Sequence, residues 1–291
     1  MDRLSVAKTY KLYVGGAFPR SESGRSLPVE GPKGEPIAHI AHASRKDLRD
    51  AVEAARAAQP KWANATPYNR GQVMYRMAEM MEGKRDELAR AVEAMRNGAK
   101  GKKAGGGAEV TRAIDRLVHY AGWCDKYAQV LGCNNPVAGP FYNFTAPEAT
   151  GVVCAVCPDQ APLLGLVSLL APALVPGNAV VAVAGDDAGI AAAVFGEVCA
   201  TSDVPAGVIN VLTGKRAELI QHIAGHRDID AVHGANLDAD TSRRLRDGAA
   251  ENLKRVKVRD NTDFSDDDVW NSPWRIEPFV EFKTMWHPAL S

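Results

Sequence analysis

The sequence has no excess of charge of either sign, because its 35 Lys and Arg residues equal its 35 Asp and Glu residues. Nucleic acids and anionic membranes attract proteins through a positive field, and a chain with a pI of about 7.0 has no such field overall. We therefore expect neither nucleic acid nor a membrane as a partner.

Long hydrophobic runs and an excess of cysteine are also lacking. The longest apolar stretch, 161–175, contains Pro162 and Pro172 and is too short to span a bilayer. The first residues, MDRLSVAKTYKL, have no apolar segment of the kind found in secretory signals. The five cysteines show no spacing typical of a disulfide framework. We expect a cytoplasmic protein.

What the sequence does contain is a βαβ pattern over residues 147–183. Residues 152–157 and 178–183 are short aliphatic runs, typical of strands that are buried on both faces in a parallel sheet. Between them, apolar residues recur at helical spacing: Leu163, Leu166, Val167, Leu170 and Leu174. A parallel pair needs such a crossover, so the pattern predicts two neighbouring parallel strands.

The same alternation continues to residue 259. Three more strands are predicted at 208–212, 229–232 and 256–259, and three helices at 188–199, 217–224 and 241–253. The predicted fold class is therefore α/β, a doubly wound parallel sheet of five strands with helices on both faces.

A helical segment is predicted before this sheet. Ser44 and Asp47 have the spacing of a capping box, at the start of a helix that extends to Pro60. Residues 10–14 alternate like a strand, and a link rich in Gly, Pro and Ser follows them. The basic, glycine-rich stretch 97–107 favours a solvated loop over a phosphate site, because a helix and not a strand precedes it.

Two segments follow the last strand of the alternation. Residues 260–278 are acidic, carry no recognisable helix cap and predict a linker. Residues 279–286 alternate again, with Val280, Phe282 and Trp286 on one face. A strand without a neighbouring hairpin partner must pair with a distant segment. We expect it to leave its own domain and to pair with aromatic strands of an oligomerisation sheet, its own or a partner's. The alternative is an internal sheet beside 141–146.

Three groups of residues have spacings that could carry chemistry. Cys154 and Cys157 form a C-x-x-C pair, but they lie in a predicted buried strand, which favours packing over metal or redox work. His222 and His226 lie four apart on a helix without a third ligand in view, which favours a solvated face. Cys199 has no histidine near it in the sequence, so a core role is preferred to that of a nucleophile. No metal site is predicted.

The order of several segments resembles the aldehyde dehydrogenase superfamily along nearly the whole chain. The segments are YVGGAF, AIDRLVHYAGWCDK, GVVCAVCPDQAPLL, LAPALVPGNAVV, VPAGVINVLTG and FVEFKTMWHP. The resemblance implies a Rossmann-like cofactor-binding domain at 1–259 with an oligomerisation hairpin at about 141–151. It also implies a C-terminal oligomerisation strand at 279–291, and hence a small antiparallel oligomerisation sheet.

The chain departs from the family pattern where the family keeps its chemistry. The family's catalytic domain, with its cysteine nucleophile, would lie where this chain has residues 260–278, too few to form a domain. Gln160 takes the position of the asparagine amide that helps hold the oxyanion, and Arg259 aligns with the position of the general base. No catalytic residue is therefore predicted.

The cofactor positions have also changed. Val183 replaces the lysine that the family uses to bind the cofactor ribose, and four residues remain as vestigial candidates: Pro158, Asp186, Gly214 and Gly234. No cofactor is expected, with NAD or NADP as the alternative.

The nearest resemblance is to the degenerate second module of two-module aldehyde dehydrogenases. It predicts a pseudoenzyme that acts as a structural or regulatory subunit, together with a full-length aldehyde dehydrogenase or with itself. The predicted interface residues are Tyr142, Phe144, Val280, Phe282 and Trp286. The alternatives are an active NAD(P)-dependent aldehyde dehydrogenase and a nucleotide-binding regulatory module.

Overall fold

The computed structural model describes residues 7–31, 34–96 and 105–289, without the side chain of Arg96. Of the loop predicted at 97–107, residues 97–104 lie outside this part of the chain. Gly106 and Gly107 do not belong to a loop, because a helix begins at Gly106.

The N-terminal region forms a three-stranded sheet from β1 (Lys8–Tyr10), β2 (Ser26–Glu30) and β3 (Pro36–Ala41), in the order β1-β3-β2. Of the strand predicted at 10–14, only Tyr10 lies in β1, and Tyr13 and Val14 form only isolated bridges. The prediction of a link after it is wrong, because β2 and β3 pair there as an antiparallel hairpin. Val29 and Ile40 are buried in the core, and that burial stabilises the hairpin despite its Gly, Pro and Ser content.

Within the described residues, the helices that follow are α1 (Arg45–Asn64), α2 (Pro67–Gly83), α3 (Arg85–Arg96), α4 (Gly106–Ala121) and α5 (Tyr127–Leu131). The capping box of α1 is confirmed, because Ser44 accepts from the Asp47 amide while Asp47 accepts from the Ser44 amide. The predicted end at Pro60 is wrong. The helix continues to Asn64, and the buried indole of Trp62 donates to the Leu174 carbonyl at 3.2 Å.

Two further strands come next, β4 (Cys133–Asn135) and β5 (Phe141–Ala149). The central sheet then takes five strands: β6 (Val152–Val156), β7 (Ala179–Val183), β8 (Ile209–Leu212), β9 (Ala231–Ala235) and β10 (Arg255–Arg259). All five are parallel, in the order β10-β9-β6-β7-β8. The predicted doubly wound sheet is confirmed.

Helices cover both faces of the central sheet: α6 (Leu164–Leu174), α7 (Gly189–Ala200), α8 (Ala217–Gly225) and α9 (Ala239–Ala249). On one face, Val153 and Ala155 of β6 share a core with α6 and α7. On the other face, Cys154 shares a core with α1, α8 and α9. This burial on both sides explains why β6 is apolar throughout. Within the described ranges, no helix combines the length and apolarity that a bilayer crossing requires.

The segment 260–278 is not the solvated linker that its acidic composition predicted. It contains a helix, α10 (Asp267–Trp270), which Asp266 caps by accepting from the Val269 amide, and two turns of 3₁₀-helix, Pro273–Arg275 and Glu277–Phe279. Trp270 is fully buried. The acidic residues face solvent while a few large apolar side chains enter the core, so composition alone is misleading here.

The last strand, β11 (Val280–Pro288), pairs antiparallel with β5 over nine residues and completes a small sheet in the order β11-β5-β4. A distant pairing partner is thus confirmed. The partner is the chain's own β5, in a three-stranded sheet that is separate from the central five-stranded one. Val280, predicted at an interface, is 0% exposed and belongs to the chain's own core.

Candidate functional site

The order of the central strands creates a crevice at one edge of the sheet. The chain proceeds from β6 outward to β7 and β8, and then returns to the other side of β6 with β9 and β10. The carboxyl ends of β6 and β9 therefore flank a topological switch point, where open α/β sheets bind their ligands. Residues 157–160 follow β6 at this edge, and Asn236 and Leu237 follow β9.

Two cavities meet at this edge, and both are lined by Asn236 and Leu237. The first, which we call the small cavity, has a volume of about 290 Å³ and lies beside α8 and α9. The second, the large cleft, has a volume of about 830 Å³ and is bounded by α4, α6 and residues 260–265. The large cleft includes Gln160, and the small cavity includes Asp186.

Arg216 occupies one wall of the small cavity, immediately before α8. Its guanidinium is 2.5 Å from Asp159 Oδ2 and 3.3 Å from Asp186 Oδ1, and it donates to the Cys157 carbonyl at 2.5 Å. The Arg216 amide also donates to Asp186 Oδ1, at 2.9 Å. One side chain thus ties the end of β6 to the loop that follows β7. Arg216 is not among the predicted site residues, because its carboxylate partners Asp159 and Asp186 are distant from it in the sequence.

A dinucleotide places its pyrophosphate against free amides at a helix N-terminus, where the helix dipole favours negative charge. At the start of α8, a carboxylate already accepts the Arg216 amide. The small cavity contains three carboxylates, Asp159, Asp186 and Asp238, against the single guanidinium of Arg216. The residues present therefore do not fit a pyrophosphate group.

The glycines predicted as cofactor remnants have a different place in the fold. Gly214 has a φ of +121°, and a Cβ there would lie 2.7 Å from His42 Cδ2. Gly234 lies within β9, where a Cβ would meet Leu237 Cδ1 at 2.8 Å. Neither glycine lines the two cavities, and close packing accounts for both. Pro158 is buried beside the cavity wall, and Val183 is buried at the end of β7.

Gln160 stands at an edge that is rich in acceptors. The amides of Leu163 and Leu164, which begin the turn into α6, donate to Glu109 Oε1 at 2.8 and 3.1 Å. Asp159 is adjacent to Gln160 in the chain. An oxyanion hole needs donors that are aimed at developing negative charge. Here a buried carboxylate already accepts the amides that could serve. Glu109 was not predicted as a site residue, because it lies on α4, far in the sequence from the amides at the start of α6.

Arg259, at the predicted base position, lines neither cavity and bonds inward. Its Nη1 lies 3.2 Å from His233 Nε2, and burial followed by repulsion from Arg275 lowers the pKa of Arg259 to about 10. His233 Nδ1 donates to the Leu169 carbonyl at 2.8 Å. Burial, with Arg259 beside it, holds the pKa of His233 well below its ordinary value. The imidazole is neutral and its free nitrogen accepts from Arg259, so this pair does not present a base to solvent.

The buried cysteines lie in the cores on the two faces of the sheet. Burial raises the pKa of Cys154 to about 12, and it also raises the pKa values of Cys157 and Cys199. A thiolate is the reactive form, so these thiols are inert near neutral pH. Cys133 is exposed, but it lies on β4, in the small sheet. In the part of the chain that the structure describes, no three His, Cys, Asp or Glu side chains cluster so that they could hold a metal ion.

Comparison with known proteins gives one consistent match. Residues 18–259 match the model of the aldehyde dehydrogenase family. An aldehyde dehydrogenase of Aspergillus niger is 31% identical over 271 residues, which are 90% of this chain and 53% of that protein. Human retinal dehydrogenase 2 is 31% identical over 256 residues, which are 86% of this chain and 48% of that protein.

Solved structures agree with this match. The structure of PnpE from Pseudomonas sp. WBC-3 superposes with a TM-score of 0.77 at 26% identity, over 86% of this chain and 50% of that one. Another structure of PnpE is a complex with nicotinamide adenine dinucleotide. The chain spans about half the length of the relatives that it matches. By sequence and by fold, the chain belongs to the aldehyde dehydrogenase family.

Proposed function

We propose that this chain is a non-catalytic member of the aldehyde dehydrogenase family that acts in the cytoplasm as a structural or regulatory subunit. Its partner is a full-length aldehyde dehydrogenase or a second copy of itself. The observation that carries the proposal is the small sheet. β11 forms one edge of it, and in the described part of the chain no strand pairs with the outer side of β11.

Aromatic side chains are exposed on this sheet. Phe282 is 48% exposed, Tyr142 is 53% exposed and Trp286 is 60% exposed. Nine residues of open edge and a set of wet aromatic rings are features that soluble proteins usually cover with another chain. The small sheet is thus the surface best suited to assembly.

The register of the sheet separates the predicted interface residues into two faces. Trp286 lies opposite Asn143, and His287 lies opposite Tyr142. Because side chains alternate along a strand, Phe282 and Trp286 share one face while Tyr142 and Phe144 share the other. Tyr142 and Phe144 contact each other, with ring centroids 5.3 Å apart. A partner that covers the edge of β11 would therefore meet aromatic side chains of the first face.

The absence of catalysis is the second part of the proposal, and the switch-point crevice supports it. Its amides and its arginine already bond to carboxylates of the chain, and the buried thiols have raised pKa values. The alternative, an NAD(P)-dependent dehydrogenase, is supported by the family and by the PnpE complex with nicotinamide adenine dinucleotide. A nucleotide-binding regulatory module would share that complex as its support.

Titration of the purified chain with NAD or NADP decides between these functions. We expect no saturable heat up to about 1 mM, because three carboxylates face the place that a pyrophosphate would need. Arg216→Ala should leave this result unchanged, since Asp159 would then lack its counter-charge and Asp186 would keep only that of Lys215, at 3.7 Å. Micromolar affinity would favour a regulatory nucleotide site. Formation of NADH from aldehydes would favour the alternative, an active dehydrogenase.

The assembly role is tested by the mass of the chain in solution. Phe282→Arg combined with Trp286→Arg should reduce the mass found by light scattering, alone or with a full-length aldehyde dehydrogenase. The charged side chains that replace the two rings would resist burial in an interface. Tyr68→Arg combined with Leu253→Arg is a matched control. It adds the same charge at exposed apolar positions outside the small sheet. Equal masses for all three proteins, with and without the full-length enzyme, would contradict the proposed role.

A further inference from the structure

We propose that β11 pairs antiparallel with β11 of a second copy of this chain, about a twofold axis at Thr284, so that two small sheets become one sheet of six strands. This inference rests on the proposed assembly role and specifies its partner and register. It is argued from the backbone groups that β11 presents at its outer edge.

The pairing with β5 determines which groups of β11 face outward. The Thr150 amide donates to the Phe279 carbonyl, and the Ala289 amide donates to the Pro140 carbonyl at 2.9 Å. Residues 279 and 289 thus direct their backbone groups toward β5. Because this direction alternates along an antiparallel strand, Phe282, Thr284 and Trp286 present both N–H and C=O to the open edge.

The two ends of β11 select one register for self-pairing. At one end, the outward carbonyl of Val280 accepts from Arg255 Nη1. At the other end, Pro288 has no N–H to donate. With the axis at Thr284, Val280 lies opposite Pro288 of the second copy. The one carbonyl that would lack a donor across the interface is then the one that Arg255 already satisfies.

Moving the axis by two residues shifts the register by four and loses this match. With the axis at Phe282, Val280 would lie opposite Thr284 of the second copy. The Thr284 amide would then meet a carbonyl that Arg255 already occupies. The displaced pairing would also leave the outward groups of Trp286 without a partner on the second β11. The axis at Thr284 therefore satisfies the most backbone groups.

The side chains agree with the same axis. On one face, Phe282 lies opposite Trp286 of the second copy, twice by symmetry, and such aromatic pairs stabilise antiparallel strands. On the other face, Glu281 lies opposite His287 and Lys283 lies opposite Met285. No two like charges face each other. The arrangement brings each of the two exposed aromatic rings of β11 beside a ring of the second copy.

A disulfide across the axis tests the register directly. The experiment uses the full chain with Cys133→Ser, which removes the exposed native thiol. Residues opposite each other in a hydrogen-bonded antiparallel pair have Cα atoms about 5.5 Å apart, within the range that a disulfide spans. Under mild oxidation, Thr284→Cys should form a linked dimer on a non-reducing gel. Peptide mass spectrometry should find the introduced thiols of the two copies joined to each other.

Phe282→Cys in the same background is the matched control. Its counterpart in this register is Trp286, so we expect about tenfold less linked dimer than for Thr284→Cys. More linkage at 282 than at 284 would overturn the proposed axis, as would a dimer without linkage at 284. Both outcomes would leave the assembly role in place. A chain that stays monomeric at all concentrations would overturn self-pairing, and mixing with a full-length aldehyde dehydrogenase would then decide the subunit role separately.

Discussion

Replacing Trp270 with alanine is expected to lower the free energy of unfolding by about 3–5 kcal/mol, the usual cost of truncating a buried aromatic residue. Trp270 is 0% exposed although it lies in the acidic segment 260–278. Its indole donates to the Asp263 carbonyl at 3.0 Å and stacks on Phe264, with ring centroids 4.9 Å apart. Truncation would leave a cavity and an unsatisfied carbonyl between the segment and the sheet.

Urea or guanidinium denaturation measures this loss, and Trp274→Ala is its control. Trp274 lies four residues further along the same segment but is 60% exposed. Its truncation should change stability by only about 0.5 kcal/mol. If Trp270→Ala lowers the free energy of unfolding as little as Trp274→Ala does, the segment is not part of the core. If Trp270→Ala does not fold, Trp270→Phe provides a milder truncation with the same expected direction.

Trp270 also organises three arginines from different parts of the fold. The guanidinium carbons of Arg116, Arg259 and Arg275 lie 5.9, 5.8 and 5.3 Å from the indole ring. At such distances an aromatic face attracts a cation, which partly offsets the repulsion among the three charges. The segment 260–278 thus supplies the ring and the carboxylate that allow α4 and β10 to keep arginines in the interior.

Arg116→Ala is the second large effect, with an expected loss of about 3–5 kcal/mol. Arg116 is 0% exposed, and burial lowers its pKa even though Asp267 pairs with it. The guanidinium donates to four acceptors: Ser168 Oγ, the Phe264 carbonyl, Asp267 Oδ1 and Asn271 Oδ1. Its removal would leave buried acceptors on α6 and on the segment without donors.

Arg112→Ala is the matched control for Arg116→Ala, and the same denaturation experiment measures both. Arg112 lies one turn earlier on α4 and pairs with the same carboxylate, Asp267. Its side chain is 42% exposed, and an exposed ion pair contributes roughly 0–1 kcal/mol. Comparable losses for the two variants would contradict the view that buried hydrogen bonds, rather than charge pairing, make Arg116 important.

Local sequence patterns were sufficient for the parts of the fold that depend on local physics. The capping box of Ser44 and Asp47 marked the start of α1, and the aliphatic runs on either side of α6 identified β6 and β7. The order of these segments also sufficed to identify the aldehyde dehydrogenase family. These features depend on periodicity and neighbouring residues, which a sequence displays directly.

Long-range packing was not visible in the sequence. The acidic composition of 260–278 predicted a solvated linker, although a few of its apolar residues fill the core. Pro60 predicted the end of a helix that in the folded chain continues to Asn64. Arg216 and Glu109 acquire their roles only because the fold brings carboxylates or helix amides beside them from distant positions.

Residue patterns along the chain are sufficient to identify the family, the doubly wound sheet and the existence of the last strand. The folded chain is needed to show that this strand pairs with β5, that Val280 is core, and that Phe282 and Trp286 share a face which Tyr142 does not. The physical reason is register. Thr145 and Thr284 hydrogen-bond across the two strands although 139 positions separate them, and a shift by one residue would exchange the two faces of β11.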